Sequence, residues 1–211
     1  MKRRVVLALA AGMALLPRFV STQSGDAVPK GTDMDAIARD PDLPNGGNPE
    51  GDVTIAAFSD YNCPFCKATE RNLDRLIKDD GKIRLVYKDW PILSSASVYG
   101  ARLALAAKYQ GQYVLIHSAL MGIPGGESTR DQMLATVRSS DVDFERLQDD
   151  LHEHVGEIDA VYARNAQQVR LLHFEGTPTY LISDIVYNSL SYDGFRSAVA
   201  AVRDPAASKR S

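Results

Sequence analysis

Cys63 and Cys66 are the only cysteines among 211 residues, and their flanks leave few folds open. Residues 53–58 upstream are almost continuously apolar and begin Val53-Thr54-Ile55, the pattern of a strand buried on both faces. Downstream, Pro64 takes the place of a first helical residue, and Leu73, Leu76 and Ile77 follow at helical spacing. Cys63 is therefore expected where a buried strand meets a helix N-terminus. Free N–H groups and the helix dipole stabilise an anion there, so its thiol should ionise below the ~8.5 of a free cysteine. Cys66 follows one turn later on the same face, a spacing compatible with a disulfide. An exposed, easily reduced disulfide suits thiol exchange.

A lone pair of this spacing is also compatible with half a zinc site or with a structural disulfide. Zinc takes about four ligands. No second cysteine pair exists and the four histidines are scattered, so no metal site is expected. A disulfide closing so short a loop stabilises little through loop entropy. His152 and His154 are two residues apart and fall on different helix faces. His173, near Pro178 in sequence, is expected to be a satisfied structural histidine, and Trp90 and the tyrosines to belong to the core.

The length fits one domain with an insertion, and 45% hydrophobic residues supply a sizeable core. The net charge is −3 and no basic tract follows the first residues, which argues against nucleic acid as a partner. Lys2, Arg3 and Arg4 precede an apolar run over residues 5–16 that Pro17 and Arg18 end. That run is too short to span a bilayer and has the form of a signal-peptide core, so residues 1–24 are read as a signal peptide. Cleavage is expected between Thr22 and Val28, and an uncleaved anchor is the alternative. Export to an oxidising compartment would give a disulfide catalyst its substrates.

Residues 25–51 form a polar lead-in broken by prolines and glycines, with a short helix capped by Thr32 or Asp33. A single domain is expected over residues 52–203. Its first strand and cysteine helix stop at Gly81, and residues 83–87 make a second, parallel strand. Residues 94–172 read as wholly helical, with starts at Ser94, Ser95 or Ser97, at Ser128 or Thr129 (Gln132 lies three after Thr129) and at Asp141 or Asp143. Thr179 to Ile182 is a short strand opened by Pro178, residues 185–187 its hairpin partner, and residues 192–202 a last helix. Residues 204–211 form a loose tail.

Three stretches in this order resemble a known family. They are Phe58-Ser59-Asp60-Tyr61-Asn62-Cys63-Pro64-Phe65-Cys66-Lys67, Lys88-Asp89-Trp90-Pro91-Ile92-Leu93 and Gly176-Thr177-Pro178-Thr179. The chain resembles the DsbA-like family of exported thiol–disulfide oxidoreductases over roughly residues 41–202. The resemblance implies an α/β thioredoxin-like fold with an all-helical insertion between the second and third strands.

It further implies that Cys63 and Cys66 are catalytic, Cys63 as the attacked sulfur and Cys66 as the resolving one. Pro64 and Phe65 between them would tune the redox couple. Thr177-Pro178 would be a cis peptide facing the cysteines, with the Thr177 backbone free to pair with an extended substrate. No cofactor is implied. The implied partners are reduced or misoxidised exported proteins and a membrane redox partner of the DsbB type, in a periplasmic or other cell-envelope location. The expected activity is oxidation. An isomerase or reductase of the same fold is one alternative, and a Cu(I)-binding protein using both thiolates is another. Two departures from the family stand out. Position 57 is Ala57 where several relatives carry a buried acid, with Lys88 as another group able to influence the thiols. Residues 183–190 lack the glycine-rich turn common in relatives.

Overall fold

The computed structural model describes residues 25–204 and 206. The expected signal peptide, its cleavage site and most of the tail lie outside the described residues.

The elements are β1 (Asp26–Ala27), α1 (Met34–Ala38), β2 (Asn45–Gly47), β3 (Val53–Ser59), α2 (Pro64–Asp80) and β4 (Ile83–Asp89). Then come α3 (Ser95–Ala107), α4 (Tyr113–Met121), α5 (Arg130–Arg138), α6 (Phe144–Glu153) and α7 (Val155–Leu171). The chain closes with β5 (Thr179–Ile182), β6 (Ile185–Tyr187) and α8 (Tyr192–Arg203). The six strands form one sheet in the order β1-β6-β5-β3-β4-β2. β3 runs parallel to β4 and antiparallel to β5, with Ala57 opposite both Tyr87 and Tyr180. This is the thioredoxin-like arrangement with five helices inserted between β4 and β5, and the expected fold class is borne out.

Local chemistry sets the element ends. Cys63 caps α2 and Pro64 begins it, while Gly81 ends it in the left-handed conformation at φ 69°. Ser94 caps α3, Asp143 caps α6, and Thr129 with Gln132 makes a complete capping box on α5. α7 starts at Val155. It ends on His173, which takes the left-handed position (φ 55°) usually held by glycine. There the Phe174 N–H bonds the Val169 carbonyl and the His173 N–H that of Arg170. His173 is thus an exposed helix-end residue.

β3 and β4 are buried almost throughout, as the apolar runs require. On one face lie α2 and α8: the Tyr180 hydroxyl donates to Thr69 of α2, and its ring meets Phe195 of α8 edge-on at 4.9 Å. On the other face lies Lys88, fully buried, its ammonium 2.8 Å from Gln168 Oε1 of α7. Burial lowers its pKa to about 7. Lys88 therefore meets α7 rather than the helix that carries the cysteines.

The lead-in is more tightly joined to the domain than its composition suggests. β1 and β2 are the two edge strands of the same sheet. Arg84 donates to the Ala38 carbonyl, Gln168 to that of Ala36, and Arg164 bridges Asp40 and Asp42. Strands of two and three residues carry no apolar alternation, so no sequence pattern marks them. β2 also depends on Gly47, at φ 67°, where a Cβ would sit 2.4 Å from the Ile83 carbonyl oxygen.

Candidate active site

The loop from β3 to α2 is pinned by its own polar residues. Asp60 is fully buried. One carboxylate oxygen accepts the Asn62 N–H at 2.7 Å, and the other accepts those of Ile92 and Leu93 at 2.8 and 2.9 Å. Asn62 reaches the insertion: its amide donates to Ser94 Oγ and the Ser128 carbonyl and accepts the Ser128 N–H. Lys67 donates to the carbonyls of Ile123 and Gly125. The loop ahead of the cysteines is thereby tied to the β4–α3 and α4–α5 connections.

Cys63 and Cys66 are both reduced thiols. The Cys66 N–H donates to Cys63 Sγ at 3.2 Å, as an N-cap requires. The Cys66 thiol also hydrogen-bonds Cys63, and with the N–H groups of Cys66 and Phe65 it overcomes burial and pulls the Cys63 pKa down to about 6. Cys66 responds oppositely: burial, then the bond to Cys63, pushes its thiol far up. Adjacent sulfurs in one turn thus have well-separated acidities.

Across the site, the Thr177–Pro178 peptide is cis. The protonated Cys63 thiol donates to the Thr177 carbonyl at 3.1 Å. Pro178 is buried and Thr177 half-buried. Thr179, next in the chain, pairs with Phe58 of β3, so β5 fixes this loop beside the cysteines. Phe65, next to Cys66 in α2, is 65% exposed, and Leu93 and Ile92, whose N–H groups bond Asp60, are 52% and 48% exposed.

The four residues singled out beside the cysteines fall into two groups. Thr177 and Pro178 come against Cys63, while Pro64 and Phe65 lie exposed at the start of α2. His152 is exposed and His154 stacks on Tyr109 at 3.6 Å. Trp90 packs against the core.

Sequence reasoning passed over a buried polar cluster behind the site. Asp89 accepts the Tyr113 hydroxyl at 2.9 Å, and burial raises its pKa to about 6. His117 lies between Tyr61 and Glu70. The available signal was a histidine inside the apolar run of α4, a position that folding buries and that then requires partners.

A family model described as thioredoxin matches residues 41–201, and the chain belongs to the thioredoxin family. Among solved structures it is similar to a thioredoxin-like oxidoreductase from Silicibacter pomeroyi DSS-3. That pair shares 37% identity over 81% of this chain and 98% of the other, with a TM-score of 0.76. It is also similar to the thiol-disulfide exchange protein alpha-DsbA2 from Wolbachia pipientis. There the identity is 29% over 80% of this chain and 91% of the other, with a TM-score of 0.74. The DsbA-like resemblance read from the sequence is borne out by both. A curated relative, the Na(+)/H(+) antiporter NhaA 1 of Salinispora arenicola, is 27% identical over 147 residues, 68% of this chain. The chain spans only 22% of that relative's length. Among the described residues no helix is long and apolar enough to cross a membrane.

Proposed function

We propose that this protein is an exported thiol–disulfide oxidoreductase working as a dithiol oxidase through a Cys63–Cys66 couple. One observation carries the reading: the two thiols are pushed apart in acidity, Cys63 to about 6 and Cys66 upward. A sulfur stabilised as a thiolate is a good leaving group, and its stability favours the reduced enzyme. That stability moves the couple in the oxidising direction.

In the oxidised enzyme a substrate thiolate attacks Cys63 Sγ. The Cys63–Cys66 bond breaks, and Cys66 leaves and takes up a proton. A second substrate thiolate then attacks the substrate sulfur of the mixed disulfide, and Cys63 departs as a thiolate. The substrate has lost two electrons and two protons, and the enzyme holds the dithiol. An oxidant of the membrane disulfide type, such as a DsbB-like protein, would restore the disulfide. Thr177 would hold the substrate by backbone pairing at the β5 end, Pro178 would set that edge, and Pro64 and Phe65 would tune the couple. Reduced exported proteins are the substrates this reading implies.

The test uses the oxidised protein and a reduced peptide with two cysteines, followed by mass spectrometry. Stoichiometric loss of two hydrogens from the peptide, with gain of two by the protein, is expected. No transfer would overturn the reading. In the mirror experiment, transfer only from the reduced protein to the oxidised peptide would assign reduction instead. Titration with Cu(I) in parallel would reveal a metal carrier by tight binding without exchange.

A further inference from the structure

We infer that His117 is a positioning residue for the Cys63–Cys66 couple, clamping the segment that leads into Cys63 against the helix that carries Cys66. The inference rests on the reading of that pair as the redox couple. His117 belongs to α4 of the helical insertion and is 1% exposed. Its Nδ1 lies 3.0 Å from the Tyr61 hydroxyl and its Nε2 2.9 Å from Glu70 Oε1. Tyr61 precedes Cys63 by two residues, and Glu70 follows Cys66 by about one turn of α2. One ring from outside the thioredoxin core thus holds both limbs of the motif.

The ring cannot swing away. Tyr61 meets it edge-on at 5.4 Å, Tyr87 lies at 4.6 Å and Tyr113 stacks at 5.6 Å. Glu70 and Asp74 face it from α2, and Asp89 from the end of β4. These negative charges outweigh burial, which alone favours the neutral ring, and raise its pKa. Glu70 and Tyr61 are themselves largely buried, so losing the histidine takes a close partner from each.

The consequence falls on Cys63. Its thiolate depends on the N–H groups of the first turn of α2, Cys66 at 3.2 Å among them. Those donors serve it only while the helix start and the preceding loop keep their separation. Released from the clamp, the two limbs are held only by the bonds of Asp60, Asn62 and Lys67 and loosen relative to one another. Cys63 then loses part of its stabilisation, and the equilibrium shifts toward the disulfide.

The test compares His117→Leu and His117→Gln with wild type, each folded and redox-pure. The readouts are the Cys63 thiolate absorbance against pH and the equilibrium with glutathione. His117→Leu should raise the Cys63 pKa by about one unit and shift the equilibrium toward the disulfide by about tenfold, the factor that one unit represents. His117→Gln can donate to Glu70 and accept from Tyr61, and should recover most of both. A purely structural histidine would lower the melting temperature and leave both readouts at wild-type values, which would overturn the inference. A Gln variant no better than Leu would overturn the hydrogen-bonded clamp. If His117→Leu does not fold, Tyr61→Phe removes one hydroxyl only. A smaller shift in the same direction supports the clamp, and an unchanged Cys63 pKa overturns it. Failure of the underlying reading looks different, because the wild type itself would then not equilibrate with glutathione.

Discussion

Cys63 and Cys66 differ by a turn of helix and by what they touch. Cys63 is 3% exposed and Cys66 1%, so acidity rather than exposure separates them, Cys63 having the N–H donors of the first turn. Alkylation of the reduced protein should therefore modify Cys63 first, with its rate half-maximal near pH 6 rather than near 9. A midpoint above pH 8 would contradict that. The same shift makes a stability prediction. The folded pKa lies below the unfolded one, so ionisation stabilises the reduced protein fully above about pH 9, and this is lost as pH falls through about 6. Denaturant titrations of the reduced minus the oxidised form should show the reduced form gaining across that window. The two single variants separate the roles. Cys66→Ala should accumulate reductant-sensitive adducts on Cys63, Cys63→Ala should carry few, and both should fold because so short a loop adds little entropy. Non-reducing gels from the exporting host read this directly, and equal adducts on both would reverse the assignment.

At the level of elements, the β3–α2 loop is held by Asp60 more than by any apolar contact. Asp60→Ala would leave three N–H groups inside without acceptors, those of Asn62, Ile92 and Leu93. A loss of about 3 kcal/mol or more is expected in urea denaturation, since orphaned buried donors cost roughly 1–3 kcal/mol each. A loss under about 1 kcal/mol, the net worth of a single ordinary hydrogen bond, would show that water reaches the loop. The β5–β6 hairpin shows a different economy. Its turn is Ser183-Asp184, with Ser183 at φ 56°, the left-handed region that favours glycine. The absence of glycine raised doubt about this hairpin from sequence, yet the register Ile182 opposite Ile185 is kept. Ser183→Gly should raise stability by about 0.5 kcal/mol, because relief of the left-handed strain slightly exceeds the added freedom of the unfolded chain. A melting point unchanged or lowered would place the strain elsewhere.

For the whole molecule, what could be read from the sequence was whatever leaves a periodic or capping signature. Residues 53–58, the Thr129–Gln132 box and Gly81 all announced their elements, because burial on two faces, a cap and a left-handed end each demand particular side chains. The order of elements, with two cysteines at the first helix, was enough for the fold. β1 and β2 were not legible, being too short to alternate and held by long-range pairing to β6 and β4. Nor was the cluster of Tyr61, Glu70, Asp89, Tyr113 and His117, whose members come from three elements and the β3–α2 loop, which only the folded chain brings together. The insertion also grips the motif, through bonds to Asn62 and Lys67 and through His117.

The most direct measurement of the central claim is the reduction potential of the Cys63–Cys66 pair, obtained by equilibrating the protein with glutathione buffers and trapping the thiols with acid. Stabilisation of the Cys63 thiolate favours the dithiol, so the potential should lie above the roughly −270 mV of thioredoxin, whose cysteine ionises near roughly 7, on the side of the roughly −120 mV of a strong disulfide donor. A value near or below about −270 mV, where thioredoxin-type reductants sit, would contradict an oxidase.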